Sequence, residues 1–247
     1  MTTIHLYPQD SIQGNLDRYP LNEKIKIYLE PGIYHQKLRL EHHHLQLINK
    51  SASEVVLTMD DFAYKLHRDG LLYNTFRTPT VTVLGDHVEF HNITIKNDAG
   101  SGPTVGQAIA LSLYGNQTCL YNCRIIGFQD TLFIGPLPVD LTERYNLFLP
   151  PEERKTTSTR HFFKNCRIEG DVDFIFGSGT ALFSDCTIVA KQKGYICAPS
   201  TYESNPFGFI FYACTIENLS NHPVYLGRPW RSHGAISFLN CTFKGLY

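Results

Sequence analysis

Hydrophobic and polar residues alternate along many short stretches of this chain. Residues 163–168 are an example, with apolar Phe163, Cys166 and Ile168 interleaved with polar Asn165 and Arg167. A period close to two is typical of β-strands with one buried face, and few segments have the period of a helix. The pattern predicts a fold of short strands, each beside a turn or corner.

The strand-like segments repeat. Six of them align without gaps on the pattern aromatic or Leu, any residue, Asn or Asp, Cys, any residue, Ile or Phe. They are residues 90–95, 120–125, 163–168, 183–188, 211–216 and 238–243, with Ile93 and Ala213 as exceptions at the Cys and Asn positions. Their intervals of 20 to 43 residues suit the coils of a solenoid with variable loops. The predicted fold class is therefore all-β, a parallel β-helix.

Stacked coils would place equivalent residues above one another. Small apolar thiols would then form a ladder inside the solenoid, at Cys123, Cys166, Cys186, Cys214 and Cys241. The asparagines Asn92, Asn122, Asn165 and Asn240 would form a second ladder at a corner, with their amides bonded to each other and to the bent backbone. These spacings are unlike those of zinc sites, so reduced structural thiols are expected, and no metal.

Three strand-like stretches carry polar residues that a buried strand does not need. They are QAIAL (107–111), GFQDTLF (127–133) and GDVDFIFG (170–177). On a parallel solenoid, Gln107, Gln129, Asp130 and Asp173 could converge on one face. The alternative is that they are ordinary turn and surface residues. The apolar DFIF setting disfavours this for Asp173, whose carboxylate would need a partner such as Arg228 in LGRPWR (226–231).

A polar, proline-containing segment, residues 136–160, interrupts the repeat directly after the second of these stretches. Long loops on a solenoid are usually functional or disordered. We expect this segment to form one lip of a cleft.

The motifs QAIAL, GFQDTLF, GDVDFIFG and LGRPW occur in the order and approximate spacing of the pectin methylesterases, which the chain resembles. The resemblance implies a single-stranded right-handed parallel β-helix of the pectin lyase kind, no metal or other cofactor, and hydrolysis of galacturonate methyl esters. It also implies roles: Asp173 as nucleophile, Asp130 as general acid and base, Gln107 and Gln129 as oxyanion stabilisers, and Arg228 as the residue that orients Asp173.

The expected substrate is pectin or a methylated oligogalacturonide, and the sequence does not distinguish polymer from oligomer. Trp230, the only tryptophan, is expected to stack on a sugar ring, with Phe128 and Phe174 as further candidates for the same wall. Two other functions stay open: a non-catalytic module that binds anionic oligosaccharide, and a glycosidase or lyase that uses paired aspartates. The glutamine pair favours acyl transfer, because it offers oxyanion donors.

The formal charge of -1, from 22 basic and 23 acidic residues, excludes an overall field that would attract nucleic acid. No apolar stretch is long enough to predict a membrane span, and no signal peptide is recognisable. The expectations are one domain over residues 1–247, a monomer, and a cytoplasmic location, or a secreted one if the native N-terminus is missing. Relatives continue beyond the point equivalent to Tyr247, so the family's usual C-terminal segment is expected to be lacking.

Overall fold

The computed structural model describes residues 1–246, so Tyr247, the last residue of the predicted domain, lies outside the described residues. The named strands of the described part pair in parallel and stack into three sheets of nine, seven and eight strands. The first two strands of the chain pair within one sheet, and from the second strand onward successive strands enter successive sheets, so that one coil contributes one strand to each. This is the architecture of a parallel β-helix, and it confirms the predicted all-β solenoid.

The nine-stranded sheet contains β1 (Thr2–Leu6), β2 (Ile25–Leu29), β5 (Leu45–Ile48), β8 (Glu89–His91), β11 (Thr118–Tyr121), β14 (Arg160–Lys164), β17 (Thr180–Ser184), β20 (Phe209–Tyr212) and β23 (Ile236–Leu239). The eight-stranded sheet contains β3 (Gly32–His35), β6 (Val55–Met59), β9 (Thr94–Asn97), β12 (Arg124–Ile126), β15 (Arg167–Gly170), β18 (Thr187–Ala190), β21 (Thr215–Asn218) and β24 (Thr242–Lys244).

The seven-stranded sheet, which carries the candidate site, contains β4 (Leu38–Leu40), β7 (Val81–Val83), β10 (Leu111–Leu113), β13 (Leu132–Ile134), β16 (Ile175–Gly177), β19 (Gly194–Pro199) and β22 (Val224–Gly227). The helices are α1 (Ile12–Leu16), α2 (Val139–Arg144) and two 3-10 turns, Thr75–Arg77 and Pro151–Arg154. Leu111 of β10 lies opposite Leu132 of β13, which lies opposite Ile175 of β16. This register stacks the segments that precede these three strands.

Alternating side chains of all three sheets fill the interior of the solenoid with one continuous hydrophobic cluster. Aromatic rings at the first position of the repeat stack from coil to coil. The ring centroids of Phe163 and Phe183 are 4.5 Å apart, those of Phe183 and Phe211 4.6 Å, and those of Phe211 and Phe238 4.9 Å. Equivalent residues therefore meet as the repeat predicts.

The cysteine ladder is present, and the thiols of Cys123, Cys166, Cys186 and Cys214 are buried and reduced. Each ladder thiol lies within 3.5 Å of a backbone carbonyl one coil earlier, as Cys166 Sγ does at 3.4 Å from the carbonyl of Leu120. Cys241 is partly exposed.

The asparagine ladder is a backbone feature more than a chain of amide bonds. Between the four side chains, one hydrogen bond is found among the described residues, from Asn122 Nδ2 to Asn92 Oδ1 at 3.2 Å. What the corner positions share is a left-handed backbone, with φ of 53° to 58° at Asn92, Asn122, Asn165, Asp185, Ala213 and Asn240. Asn and Asp tolerate this conformation better than most residues, which explains the repeat at this position.

Candidate active site

A cavity of about 590 Å³ lies beside the seven-stranded sheet, between the segments that precede β10, β13 and β16 and the segment that follows β22. Its lining includes six residues singled out from the sequence: Gln107, Gln129, Asp130, Asp173, Arg228 and Trp230. The structure thus brings together residues that are up to 123 positions apart. Adjacent parallel strands are about 4.8 Å apart, so coils in register bring such residues within reach of one substrate.

Both aspartates occupy tight turns with left-handed backbone, with φ of 59° at Asp130 and 49° at Asp173. Each turn is fixed by the next coil, because Asp130 N donates to the carbonyl of Val172 at 3.0 Å and Asp173 N to that of Tyr195 at 2.7 Å. A non-glycine residue in this region costs free energy, and such positions cluster at functional sites. The turns hold both carboxyl groups at the cavity.

Arg228 holds Asp173 in a two-pronged ion pair. Its Nε donates to Asp173 Oδ1 at 3.0 Å and its Nη2 to Asp173 Oδ2 at 2.5 Å. The guanidinium also lies over the ring of Tyr195, 4.7 Å from the centroid. A bidentate pair stabilises the charged carboxylate and fixes its orientation.

Asp130 has the opposite electrostatic setting. Desolvation and the neighbouring Asp173 carboxylate raise the pKa of Asp130 well above its usual value, although the charge of Arg228 opposes the shift. No ion pair is formed by Asp130 among the described residues. The cavity therefore combines a carboxylate that is ion-paired with an arginine and a carboxyl group whose surroundings favour the protonated form.

The two glutamines lie on adjacent coils, since Ala108 N donates to the carbonyl of Gln129 at 3.1 Å. No side-chain hydrogen bond to another described residue is found for Gln107 or Gln129, and both line the cavity. Two side-chain amides with unused donors near a charged and a protonated carboxyl group suit the stabilisation of a developing oxyanion.

The aromatic wall differs from the one predicted. Trp230 lines the cavity, and its ring meets that of Phe176 edge-on at 5.8 Å. Phe174 is fully buried in the solenoid core, because the turn at Asp173 directs it inward. Phe128 lies outside the cavity lining, with Lys191 Nζ 3.5 Å from its ring centroid. The structure therefore places neither Phe174 nor Phe128 on the wall.

Residues 136–160 form one lip of the cleft, as predicted from the loop. Leu141, Arg144 and Tyr145 of this segment line the cavity. Apolar residues of the lip also cover the outer face of the seven-stranded sheet in a second hydrophobic cluster, which includes Phe133 and Phe176.

Several residues that line the cavity were not named as site residues from the sequence. They include Thr75, Phe76, Leu141, Arg144, Tyr145, Phe176 and Arg231. Two of them, Phe176 and Arg231, lie in the motifs GDVDFIFG (170–177) and LGRPWR (226–231). Position within or beside the recognised motifs was thus the available signal, together with the predicted lip.

A family model described as Pectinesterase matches residues 10–136 and 154–246. The chain belongs to the pectinesterase family. Members of this family are carboxylic ester hydrolases. The one internal stretch that the family model does not match, residues 137–153, lies within the lip. The resemblance drawn from the four motifs is confirmed.

Known members of the pectinesterase family match most of the chain. Pectinesterase 31 of Arabidopsis thaliana is 33% identical over 236 residues, which are 92% of this chain and 67% of that protein. Two further matched proteins of Arabidopsis thaliana are longer relative to this chain. The chain spans 57% of the length of Pectinesterase QRT1 and 36% of the length of Probable pectinesterase/pectinesterase inhibitor 6. Pectin methylesterase PemA from Erwinia chrysanthemi has 25% identity and a TM-score of 0.79, over 97% of this chain and 78% of that one. A pectin methylesterase solved in complex with a hexasaccharide matches with the same identity, TM-score and coverage.

Membership of the pectinesterase family corrects the expected location. The family and the matched plant pectinesterases act on pectin of the extracellular cell wall, which points to secretion, so the cytoplasmic expectation is wrong. Within residues 1–246, no helix is long and apolar enough to cross a membrane, and no cluster of three or more His, Cys, Asp or Glu side chains could hold a metal ion.

Proposed function

We propose that this protein hydrolyses the methyl esters of galacturonate residues in pectin or its oligosaccharides and releases methanol. The observation that carries the proposal is that one cavity holds both Asp173, in a two-pronged ion pair with Arg228, and Asp130, whose pKa is raised by desolvation and by the Asp173 carboxylate. Membership of the pectinesterase family and the likeness to a hexasaccharide complex support pectin as the substrate.

The first half of the reaction forms an acyl-enzyme. The Asp173 carboxylate attacks the ester carbonyl, and the amides of Gln107 and Gln129 donate to the oxyanion that develops. When the tetrahedral intermediate collapses, the bond to the methoxy oxygen breaks and Asp130 gives its proton to that oxygen. Methanol leaves, and the sugar acyl group remains on Asp173 as a mixed anhydride.

The second half regenerates the enzyme. Asp130, now ionised, takes a proton from a water molecule that attacks the sugar carbonyl. The anhydride bond to Asp173 breaks, Asp130 again carries a proton, and the sugar leaves as a carboxylic acid that loses its remaining proton to solvent. Arg228 keeps Asp173 charged and oriented for the next turnover. Trp230 and Phe176 provide an apolar wall for a sugar ring.

The direct test is methanol release from methyl-esterified oligogalacturonide and pectin in the presence of a chelator. We expect activity in the wild type and a loss of at least about a hundredfold in Asp130→Asn and in Asp173→Asn. Folded wild-type protein that binds the oligosaccharide but releases no methanol would indicate a binding module instead.

The division of roles between the aspartates has a separate test. Asp130→Asn slows both proton transfers, so the acyl-enzyme can accumulate and add mass to the peptide that contains Asp173. An adduct on residue 130 in Asp173→Asn would reverse the two roles. Hydrolysis in oxygen-18 water should place the label in the sugar carboxylate, because water attacks the sugar carbonyl.

A further inference from the structure

A second, smaller cavity of about 290 Å³ adjoins the candidate catalytic cavity. Gln107 and Gln129 line both cavities, so a ligand in one lies next to a ligand in the other. The remaining lining comes from several separate parts of the chain: Tyr64, Ser101, Gly102, Pro103, Gly106, Asp171, Val172, Gln192 and Lys193. Hydroxyl, amide and carboxyl groups beside one aromatic ring are the usual means of holding a sugar.

Asp171 is the unusual member of this lining. It is 4% exposed, and none of the described cations lies within ion-pair distance of its carboxylate. Its Oδ1 accepts a hydrogen bond from Val172 N at 2.6 Å. The mechanism proposed above does not use this carboxylate, and a buried acid without a countercharge is costly.

The charged groups around Asp171 leave its charge largely uncompensated. Lys193 is exposed on the cavity lining, where water screens it, and the half-buried Lys191 lies over the ring of Phe128. On the side of the catalytic cavity stand Asp130 and Asp173, with Arg228 committed to Asp173. Burial raises the pKa of Asp171, while the Val172 hydrogen bond and the charge of Lys191 oppose this shift.

We propose that the smaller cavity binds the sugar next to the one whose ester is hydrolysed, and that Asp171 makes this subsite prefer a methyl-esterified sugar over one with a free carboxylate. The inference rests on the proposed function. Sugar hydroxyls can donate to the carboxylate of Asp171, whereas a second carboxylate in the same cavity would meet a like charge with little solvent to screen it. A methyl ester carries no charge and avoids this repulsion.

The test compares the wild type with Asp171→Asn, which keeps an oxygen for Val172 N and removes the charge. Substrates are fully and partly methyl-esterified oligogalacturonides, with the methyl ester of a single galacturonate as reference. We expect the wild type to prefer the fully esterified oligomer, and the variant to reduce this preference at least about threefold. Asp171→Ser, which also offers an oxygen to Val172 N, should act in the same direction. Asp185→Asn, an exposed carboxylate at a distant corner, is the matched control and should leave the preference unchanged.

Two results would refute the subsite, and a different result would refute the proposed function. An equal change on the single sugar and on both oligomers would show that Asp171 acts through Asp130 and would overturn the subsite. Binding of fully de-esterified trigalacturonate, measured by calorimetry, needs no turnover and should tighten at least about threefold in Asp171→Asn. Unchanged binding would also refute the inference, whereas a wild type that hydrolyses no ester refutes the proposed function.

Discussion

At the scale of single residues, the left-handed turns explain how the two aspartates reach the cavity. Asp130 and Asp173 share their backbone conformation with the corner asparagines, but they precede strands of a different sheet. Ala213 adopts the same conformation with φ of 53°, so the stacked coils impose it even on a residue that does not favour it. The stacked coils thus impose the left-handed backbone conformation, and this conformation directs the carboxyl groups of Asp130 and Asp173 to the cavity.

The raised pKa of Asp130 predicts a conflict between stability and activity at this residue. In the folded protein Asp130 keeps its proton at pH values where the unfolded chain has lost it. This residue therefore lowers the free energy of unfolding as the pH rises from the usual aspartate pKa of 3.8 through the raised value. At pH 7 we expect Asp130→Asn to melt at a higher temperature than the wild type, by about 2–4 °C for each kcal/mol regained.

The difference should vanish near pH 3, where both states of the wild type are protonated. Thermal unfolding followed by circular dichroism at the two pH values measures it. Asp185→Asn is the control, because Lys164 and Ser184 lower the pKa of Asp185, so its loss should not raise the melting temperature. A lower melting temperature of Asp130→Asn at pH 7 would contradict the electrostatic account.

At the scale of elements, an ion pair links the lip to the segment after β22, which carries Arg228 and Trp230. Arg231 Nε and Nη2 donate to Asp140 Oδ1 and Oδ2 at 3.0 and 2.6 Å, which links α2 to the segment after β22. This pair is largely exposed, and such pairs contribute about 0–1 kcal/mol to stability. The Arg231–Asp140 pair therefore serves mainly to position the lip and adds little to stability.

We expect Asp140→Asn to raise KM for oligogalacturonide about threefold or more and to change the free energy of unfolding by at most about 1 kcal/mol. The reason is that Leu141, Arg144 and Tyr145 line the cavity from the lip and lose one anchor. Steady-state kinetics and urea denaturation measure the two effects. Glu54→Gln, which breaks the exposed Glu54–Arg124 pair at 2.7 Å on another sheet, should leave KM unchanged.

The cysteine ladder predicts the order in which thiols react. Hydrogen bonds within the ladder raise the pKa of Cys186 to about 12, and burial raises the pKa of Cys197, which lies outside the ladder in β19. Thiolates are the reactive form, so buried ladder thiols should resist alkylation in the native protein. We expect the partly exposed Cys119 and Cys241 to be labelled first. Mass spectrometry after timed iodoacetamide treatment gives the order, and rapid native labelling of Cys166 would contradict the coil register.

At the scale of the whole molecule, stability is built from contacts between neighbouring coils. Strands pair with the equivalent strands of adjacent coils, and the aromatic stack follows the same rule. A solenoid of this kind gains stability from each interface between repeats. Damage to one coil therefore weakens its contacts with both neighbours.

Substitution of Phe183 is a direct test of whether stability depends on contacts between neighbouring coils. It is fully buried between Phe163 and Phe211, so we expect Phe183→Ala to lower the free energy of unfolding by about 3–5 kcal/mol. Urea denaturation measures the loss. Phe207→Ala is the control, because Phe207 is exposed, and it should change stability by about 0.5 kcal/mol or less. Equal losses in the two variants would argue against stacking as the source of stability.

The sequence by itself determined the fold class, the coil register and the six polar and aromatic residues of the cavity lining to which the proposed chemistry is assigned. It could do so because a solenoid converts spacing along the chain into stacking: residues at equivalent places in the repeat, such as Cys123 and Cys166, meet in space. Gln107, Gln129, Asp130 and Asp173 lie two to four residues before strands of one sheet that stack in register, so their convergence follows from the stacking of coils.

The tertiary structure decided what the repeat does not encode. The turn at Asp173 sends Phe174 into the core, and strand alternation alone could not place that ring. The path of residues 136–160 depends on which apolar side chains cover the outer face of the sheet, and this depends on contacts distant in sequence. The sequence does not single out Asp171, because only the packing of separate segments around the smaller cavity buries its carboxylate in the lining that it shares with the two glutamines.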